Sequence, residues 1–123
     1  MIHGAHVLLY SHAAEADRAF FRDVLGFRSV DAGHGWLIFA LPPAEVAVHP
    51  ADGESSKAGD EVPASLYLMC EDLKAEIKSL AEKKVVCGPV SDVSWGSRTT
   101  IQLPSGGVIG LYQPKHPTAL ALA

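Results

Sequence analysis

Residues 6–16 read HVLLYSHAAEA, and residues 65–75 read SLYLMCEDLKA. In each, a strand-like apolar run leads directly into the first turn of a helical pattern. A second pair of stretches carries the match further: DAGHGWLIFALP at 31–42 against DVSWGSRTTIQLP at 92–104, with one insertion. An internal duplication of a strand–helix–three-strand unit is the economical reading. Each such βαβββ unit leaves one sheet face open, so two must pair, within one chain or across a dimer, to enclose a core.

Working outward from these stretches, His6 to Tyr10 is expected as a strand and Ala13 to Leu25 as a helix, with Ala16, Ala19, Phe20 and Val24 on its apolar face and Gly26 ending it. Strands over Gly35 to Leu41 and Glu45 to Val48, separated by Pro42-Pro43, predict a hairpin, and Phe27 to Asp31 is a weaker strand. In the second half, Ser65 to Cys70 reads as a strand. Asp72 is placed to cap a helix whose apolar face carries Leu73, Ile77, Leu80 and Ala81. Val85 to Val90 can add a strand, and Arg98 to Leu103 with Val108 to Tyr112 predict a second hairpin around Pro104-Ser-Gly-Gly107. The polar run PADGESSKAGDEVP at 50–63 is an exposed connector. The organisation is therefore one domain over 1–123, with module one at 1–50, the connector at 51–63, module two at 64–114 and a tail at 115–123. The fold class is α+β, two βαβββ modules forming a curved mixed sheet around a pocket.

Composition narrows the function classes. A chain of 123 residues with 48% hydrophobic and 20% charged residues has enough apolar side chain for one compact core. Ten Lys and Arg against fourteen Asp and Glu, a formal charge of −4 with the basic residues scattered, argue against nucleic acid as a partner. The longest apolar region, Trp36 to Val48, is broken by Pro42, Pro43 and Glu45 and falls short of the about 20 residues of a membrane helix. No basic segment precedes the N-terminal apolar run, so a cytoplasmic protein is expected. Cys70 and Cys87 lie in apolar runs without a CxxC spacing, which favours buried, reduced thiols.

The run His6-Val-Leu-Leu-Tyr followed by ADRAFFRDVLGF at 16–27, and WGSR at 95–98 followed by LPSGGVIGLYQ at 103–113, resemble the opening and closing motifs of the vicinal oxygen chelate superfamily. That superfamily includes glyoxalase I, bleomycin-resistance proteins and extradiol dioxygenases. The resemblance covers nearly the whole chain and implies the two-module fold, a pocket on the concave sheet and a two-fold homodimer with pockets near or across its interface. It does not specify a reaction, because members include isomerases, dioxygenases, thiol transferases and drug-sequestering binders.

Metal-dependent members place one ligand in each of four strands. Mapped onto this chain, the positions are His6, Val46 or Val48, Ser65 and Gly110. Imidazole is a good ligand, a serine hydroxyl a poor one, and valine and glycine side chains cannot ligate. His49 is one residue out of phase with both valines and so faces the other way in a regular strand. The resemblance thus implies a degenerate metal site, no cofactor, and binding of a small apolar or aromatic molecule. The alternative is a metal-dependent lyase, isomerase or dioxygenase that holds a divalent ion with His6, His49 and Glu45. Metal-free acid–base catalysis by His6 is a third possibility.

Strand alternation places Leu8 and Tyr10 on a face with His6, Tyr67 and Met69 with Ser65, and Val108 and Tyr112 with Gly110. Trp36 and Trp95 hold corresponding places in the two halves and offer stacking surfaces or core plugs. Arg98 is placed to meet either an anionic ligand or one of the chain's carboxylates. The expected site is therefore His6 as the catalytic candidate, with Tyr10, Trp36, Ser65, Tyr67, Trp95, Arg98 and Tyr112 as ligand-binding residues. His3, His34 and His116, in a terminus or in Gly- and Pro-rich loops, are expected to be solvated, and His12 to assist a helix start.

Overall fold

The computed structural model describes residues 1–51 and 57–122. Part of the expected connector, 52–56, and the last residue therefore lie outside the described residues. Helix α1 spans Ala14–Asp23, with Glu15 and Asp17 in its first turn, where carboxylates suit the helix dipole. Phe20 and Phe21 are buried on its inner face. Beyond its end Gly26 takes φ +72°, and the amides of Leu25 and Phe27 return to the carbonyls of Phe20 and Phe21.

After α1, β1 (Ser29–Asp31) and β2 (Leu37–Phe39) form an antiparallel hairpin. Its turn is organised by Asp31, whose carboxylate accepts from the amides of Gly33 at 2.7 Å and Gly35 at 3.2 Å. The left-handed region at Gly35, φ +84°, is what glycine permits there. Phe39 and Phe27 pack on Phe21 at ring-centroid distances of 5.7 and 5.9 Å, fixing the hairpin to the helix.

The second half holds a complete βαβββ unit. β3 (Tyr67–Met69) leads into α2 (Leu73–Glu82), followed by β4 (Ser91–Val93), β5 (Gly96–Gln102) and β6 (Val108–Pro114). The sheet order is β3-β6-β5-β4, with β3 parallel to β6 and the other pairs antiparallel. Asp72 caps α2 as expected, accepting from the Ala75 amide at 3.1 Å, while Gln113 on β6 accepts from the Leu73 amide. The 85–90 stretch runs beside β5 through a single bridge, Cys87 to Ile101, and regular pairing begins only at β4.

One sheet face and the two helices enclose the core. Thr99 and Ile101 are buried on β5, Leu103 just beyond it, and Ile109 and Leu111 on β6; the apolar four of these cluster with Phe20, Phe21, Leu73, Leu80 and Val85. Ile101 is only 1% exposed. The alternate residues of β5 and β6, among them Arg98, Gly110 and Tyr112, point to the opposite face. Cys70 and Cys87 are free and half-buried. Burial, with the charges of Glu76 and Asp72, pushes the Cys70 thiol up to about 11.

The first half departs from expectation. Neither His6–Tyr10 nor Glu45–Val48 belongs to a strand, and Tyr10 and Val48 are 84% and 92% exposed. The hairpin forms from the weaker strand candidate and 37–39, because the Asp31 turn closes it, while Pro42-Pro43 lies beyond the end of β2. Alternating apolar residues record a surface meant for burial but not the edge that supplies the hydrogen bonds. Among the described residues these two segments pair with no such edge.

Between the halves, buried Asp17 on α1 accepts from the Ser105 amide at 2.9 Å and from its hydroxyl at 2.6 Å. These charge-assisted bonds fix α1 to the β5–β6 turn. Asp17→Ala is expected to lower stability by about 2 kcal/mol, the scale of a hydrogen bond to a buried charged group. Denaturant unfolding should show this loss shared with Ser105→Ala in a double-mutant cycle, and additive losses would contradict the coupling.

Candidate functional site

The sheet face turned away from the core carries a cluster of aromatic and basic side chains. Tyr67 on β3 stands opposite Gly110 on β6, and Tyr112 stands opposite Arg98 on β5. A Cβ at Gly110 would fall within the Tyr67 ring, 2.5 Å from Cε2 and 2.6 Å from Cγ. The ring therefore lies directly on the glycine backbone. Tyr67 and Tyr112 meet edge to face at 5.8 Å, and Trp95 completes the group at 6.0 Å from Tyr67 and 5.1 Å from Tyr112.

Gly96 serves Tyr112 in a similar way, since a Cβ there would approach the Tyr112 ring to 3.1 Å and the Gln113 carbonyl oxygen to 2.6 Å. Two strand glycines thus make room for two tyrosines. Arg98 Nη1 donates to the Tyr67 hydroxyl at 3.2 Å, and its guanidinium carbon lies 5.7 Å from the Trp95 ring centroid.

Beyond β6 the chain turns back over Tyr112. The Lys115 amide donates to the Trp95 carbonyl at 2.9 Å, and the His116 ring stacks on Tyr112. His116 Nδ1 bonds the Pro117 carbonyl at 2.8 Å, which can only accept, so Nδ1 carries a proton. In the neutral ring Nε2 is then the acceptor, and Tyr112 donates to it at 3.0 Å. Glu45 anchors the tail by accepting from the Ala119 amide at 2.7 Å. Burial pushes the Tyr112 phenol up, and the Glu45 charge adds to the effect.

Of the expected site residues, Tyr67, Trp95, Arg98 and Tyr112 are gathered here. Ser65 is exposed just ahead of β3, and His6 and Tyr10 are exposed in the N-terminal segment. Trp36 lies apart on the first hairpin, 64% exposed, with Arg18 stacked over its ring at 5.1 Å. His116 is not the solvated histidine expected, because its tail folds back onto the sheet. No local pattern marks it, although its spacing of four from Tyr112 is a weak signal. Two surface hollows of about 350 and 280 Å³ are lined by other residues, around Lys83–Val86 and around Arg18 and Asp31. Neither hollow is lined by Tyr67, Trp95, Arg98 or Tyr112.

The donor set for a metal is thin. Among the described residues no three His, Cys, Asp or Glu side chains come together, and His49 is exposed. At Gly110 there is no side chain to ligate, and the Tyr67 ring occupies the adjoining space. These residues do not fit a resident metal ion within one chain. Among the described residues no helix is long and apolar enough to cross a membrane.

No family model and no curated protein matches the chain. Solved structures do. TnmS3, an antibiotic binding protein from Streptomyces sp. CB03234, is 27% identical, with 94% of this chain and 100% of that chain covered and a TM-score of 0.59. A glyoxalase/bleomycin resistance protein from the same Streptomyces is 26% identical over 81% of this chain and 90% of its own, with a TM-score of 0.52. Lactoylglutathione lyase from Agrobacterium tumefaciens shares the fold at 19% identity and a TM-score of 0.57, with 85% of this chain and 88% of that chain covered. The architecture is the glyoxalase/bleomycin-resistance-like α+β fold. These neighbours include members of the glyoxalase/bleomycin resistance protein/dioxygenase superfamily, and they support the vicinal oxygen chelate superfamily for this chain.

The environment of Tyr112 has a spectroscopic consequence. Its phenol is expected to ionise above ordinary tyrosine, and Glu45→Gln should lower that midpoint by removing a nearby negative charge. Phenolate absorbance, assigned by its loss in Tyr112→Phe, checks both the direction and the cause.

Proposed function

We propose that this protein binds a small, flat apolar or aromatic molecule without a metal ion, and that the wall of Tyr67, Trp95 and Tyr112 is its binding surface. The observation that carries this reading is the Tyr67 ring seated on Gly110. A position that the superfamily resemblance assigns to a metal-ligating carboxylate is here built as aromatic surface. The likeness to an antibiotic binding protein at 27% identity supports the same role. Aromatic side chains suit it because they combine large contact area with few rotatable bonds.

A second copy of the chain completes the structure in this reading. Leu8, Tyr10, Val46 and Val48 are exposed on segments with strand-like alternation, and among the described residues β3 pairs on one side only, with β6. An extended apolar segment and an open sheet edge are complementary surfaces. A homodimer that joins them places His6 and Tyr10 of one protomer near the aromatic wall of its partner.

Anilinonaphthalene sulfonate and a panel of neutral planar aromatics, added to the purified protein, should quench or shift Trp95 fluorescence. Trp95→Leu should weaken binding at least about tenfold, measured by calorimetry or by probe fluorescence. Failure of the whole panel to bind, or stoichiometric metal that is lost in His6→Ala, would overturn the reading.

Sedimentation at micromolar concentration should give a dimer that Val48→Asp and Leu8→Asp convert to the 13.0 kDa chain. A single 13.0 kDa species at every accessible concentration would show that no second copy is needed.

A further inference from the structure

Arg98 is half-buried on the open sheet face, and the environment of its charge is one-sided. Its side-chain hydrogen bond among the described residues is the one from Nη1 to the neutral Tyr67 hydroxyl. The ion pair found among those residues lies elsewhere, between Arg22 and Asp23. The chain has fourteen Asp and Glu to ten Lys and Arg, and among the described residues none of the carboxylates forms an ion pair with Arg98.

A guanidinium has five N–H donors in a planar fork that matches a carboxylate or sulfonate with two parallel bonds. One donor is used on Tyr67 here. Withdrawing part of such a group from water without a counter-charge is costly, and an arriving anion recovers that cost. The surrounding surfaces are the faces and edges of Trp95, Tyr67 and Tyr112.

We infer that the site takes an acidic aromatic molecule, a flat ring system bearing a carboxylate, sulfonate or ionised phenol. Arg98 is its counter-ion, and Gly110 is the positioning residue that keeps Tyr67 where it holds Arg98. The inference rests on the aromatic-binding reading above and adds the charge of the ligand. Gly110 matters because any β-carbon there would displace the Tyr67 ring, and with it the hydroxyl that orients the guanidinium.

The test compares naphthoate with naphthamide, equal in shape and different in charge, by calorimetry at neutral pH and low salt. The wild type should bind the acid about tenfold or more tightly than the amide, and added salt should shrink that preference. Arg98→Gln should remove the preference, weakening the acid by a larger factor than the amide, and Arg98→Lys should keep part of it. Gly110→Ala should reduce the preference, and Tyr67→Ala combined with Gly110→Ala should be no worse than Tyr67→Ala alone.

Amide binding without acid preference in the wild type would overturn this inference and leave the aromatic-binding reading standing. The same holds if the preference survives Arg98→Gln, because another group, such as a residue of a second copy, would then hold the anion. Binding of neither probe would overturn both. Should Arg98→Gln fail to fold, as near-ultraviolet dichroism would reveal, the salt dependence of the wild type and the Arg98→Lys result decide the matter.

Discussion

β6 lies between β3 and β5, and its period-two alternation divides the molecule into two environments. Ile109 and Leu111 enter the core beneath the helices, while Gly110 and Tyr112 face the other way. Side chains one residue apart on a pleated strand cannot exchange faces without a shift of register. Ten paired positions, seven along β5 and three along β3, together with the buried Ile101 beneath, oppose any such shift. The core and the aromatic wall are thus set by one register, and disturbing either disturbs both.

On the wall itself, glycine acts through the volume it leaves. Gly110 and Gly96 lie under the rings of Tyr67 and Tyr112, so two aromatic groups settle against backbone instead of projecting into water. The rings then meet Trp95 edge to face, the geometry favoured by their quadrupoles. Arg98 and the returning tail, held by His116 and Glu45, bound the cluster on its flanks. The result is a surface of three aromatic rings bounded by a guanidinium and an imidazole.

Legibility along the chain followed the range of the interactions involved. Helix α2 was readable because its cap, Asp72, and its apolar spacing at Leu73, Ile77 and Leu80 are local. The β5–β6 hairpin was readable because its turn, Pro104 to Gly107, lies between two alternating runs. In the first half the same cues misplaced the hairpin, since Pro42-Pro43 is a conspicuous break and the organising bonds of the Asp31 carboxylate leave a weaker mark. Four of the expected site residues converge on one wall, while His116 escaped notice because its partner is supplied by a tail that folds back.

The sequence by itself determined the resemblance to the superfamily, the two helices, the second hairpin and the absence of a ligating side chain at Gly110, Val46 and Val48. These follow from residue identity and from spacing within a single element. Only the tertiary structure decided that Tyr67 occupies the space over Gly110, that Asp17 joins α1 to Ser105, and that residues 6–10 and 45–48 have no strand partner among the described residues. Alternation specifies which side chains share a face, but the neighbour that a face or an edge meets comes from packing between segments far apart in sequence.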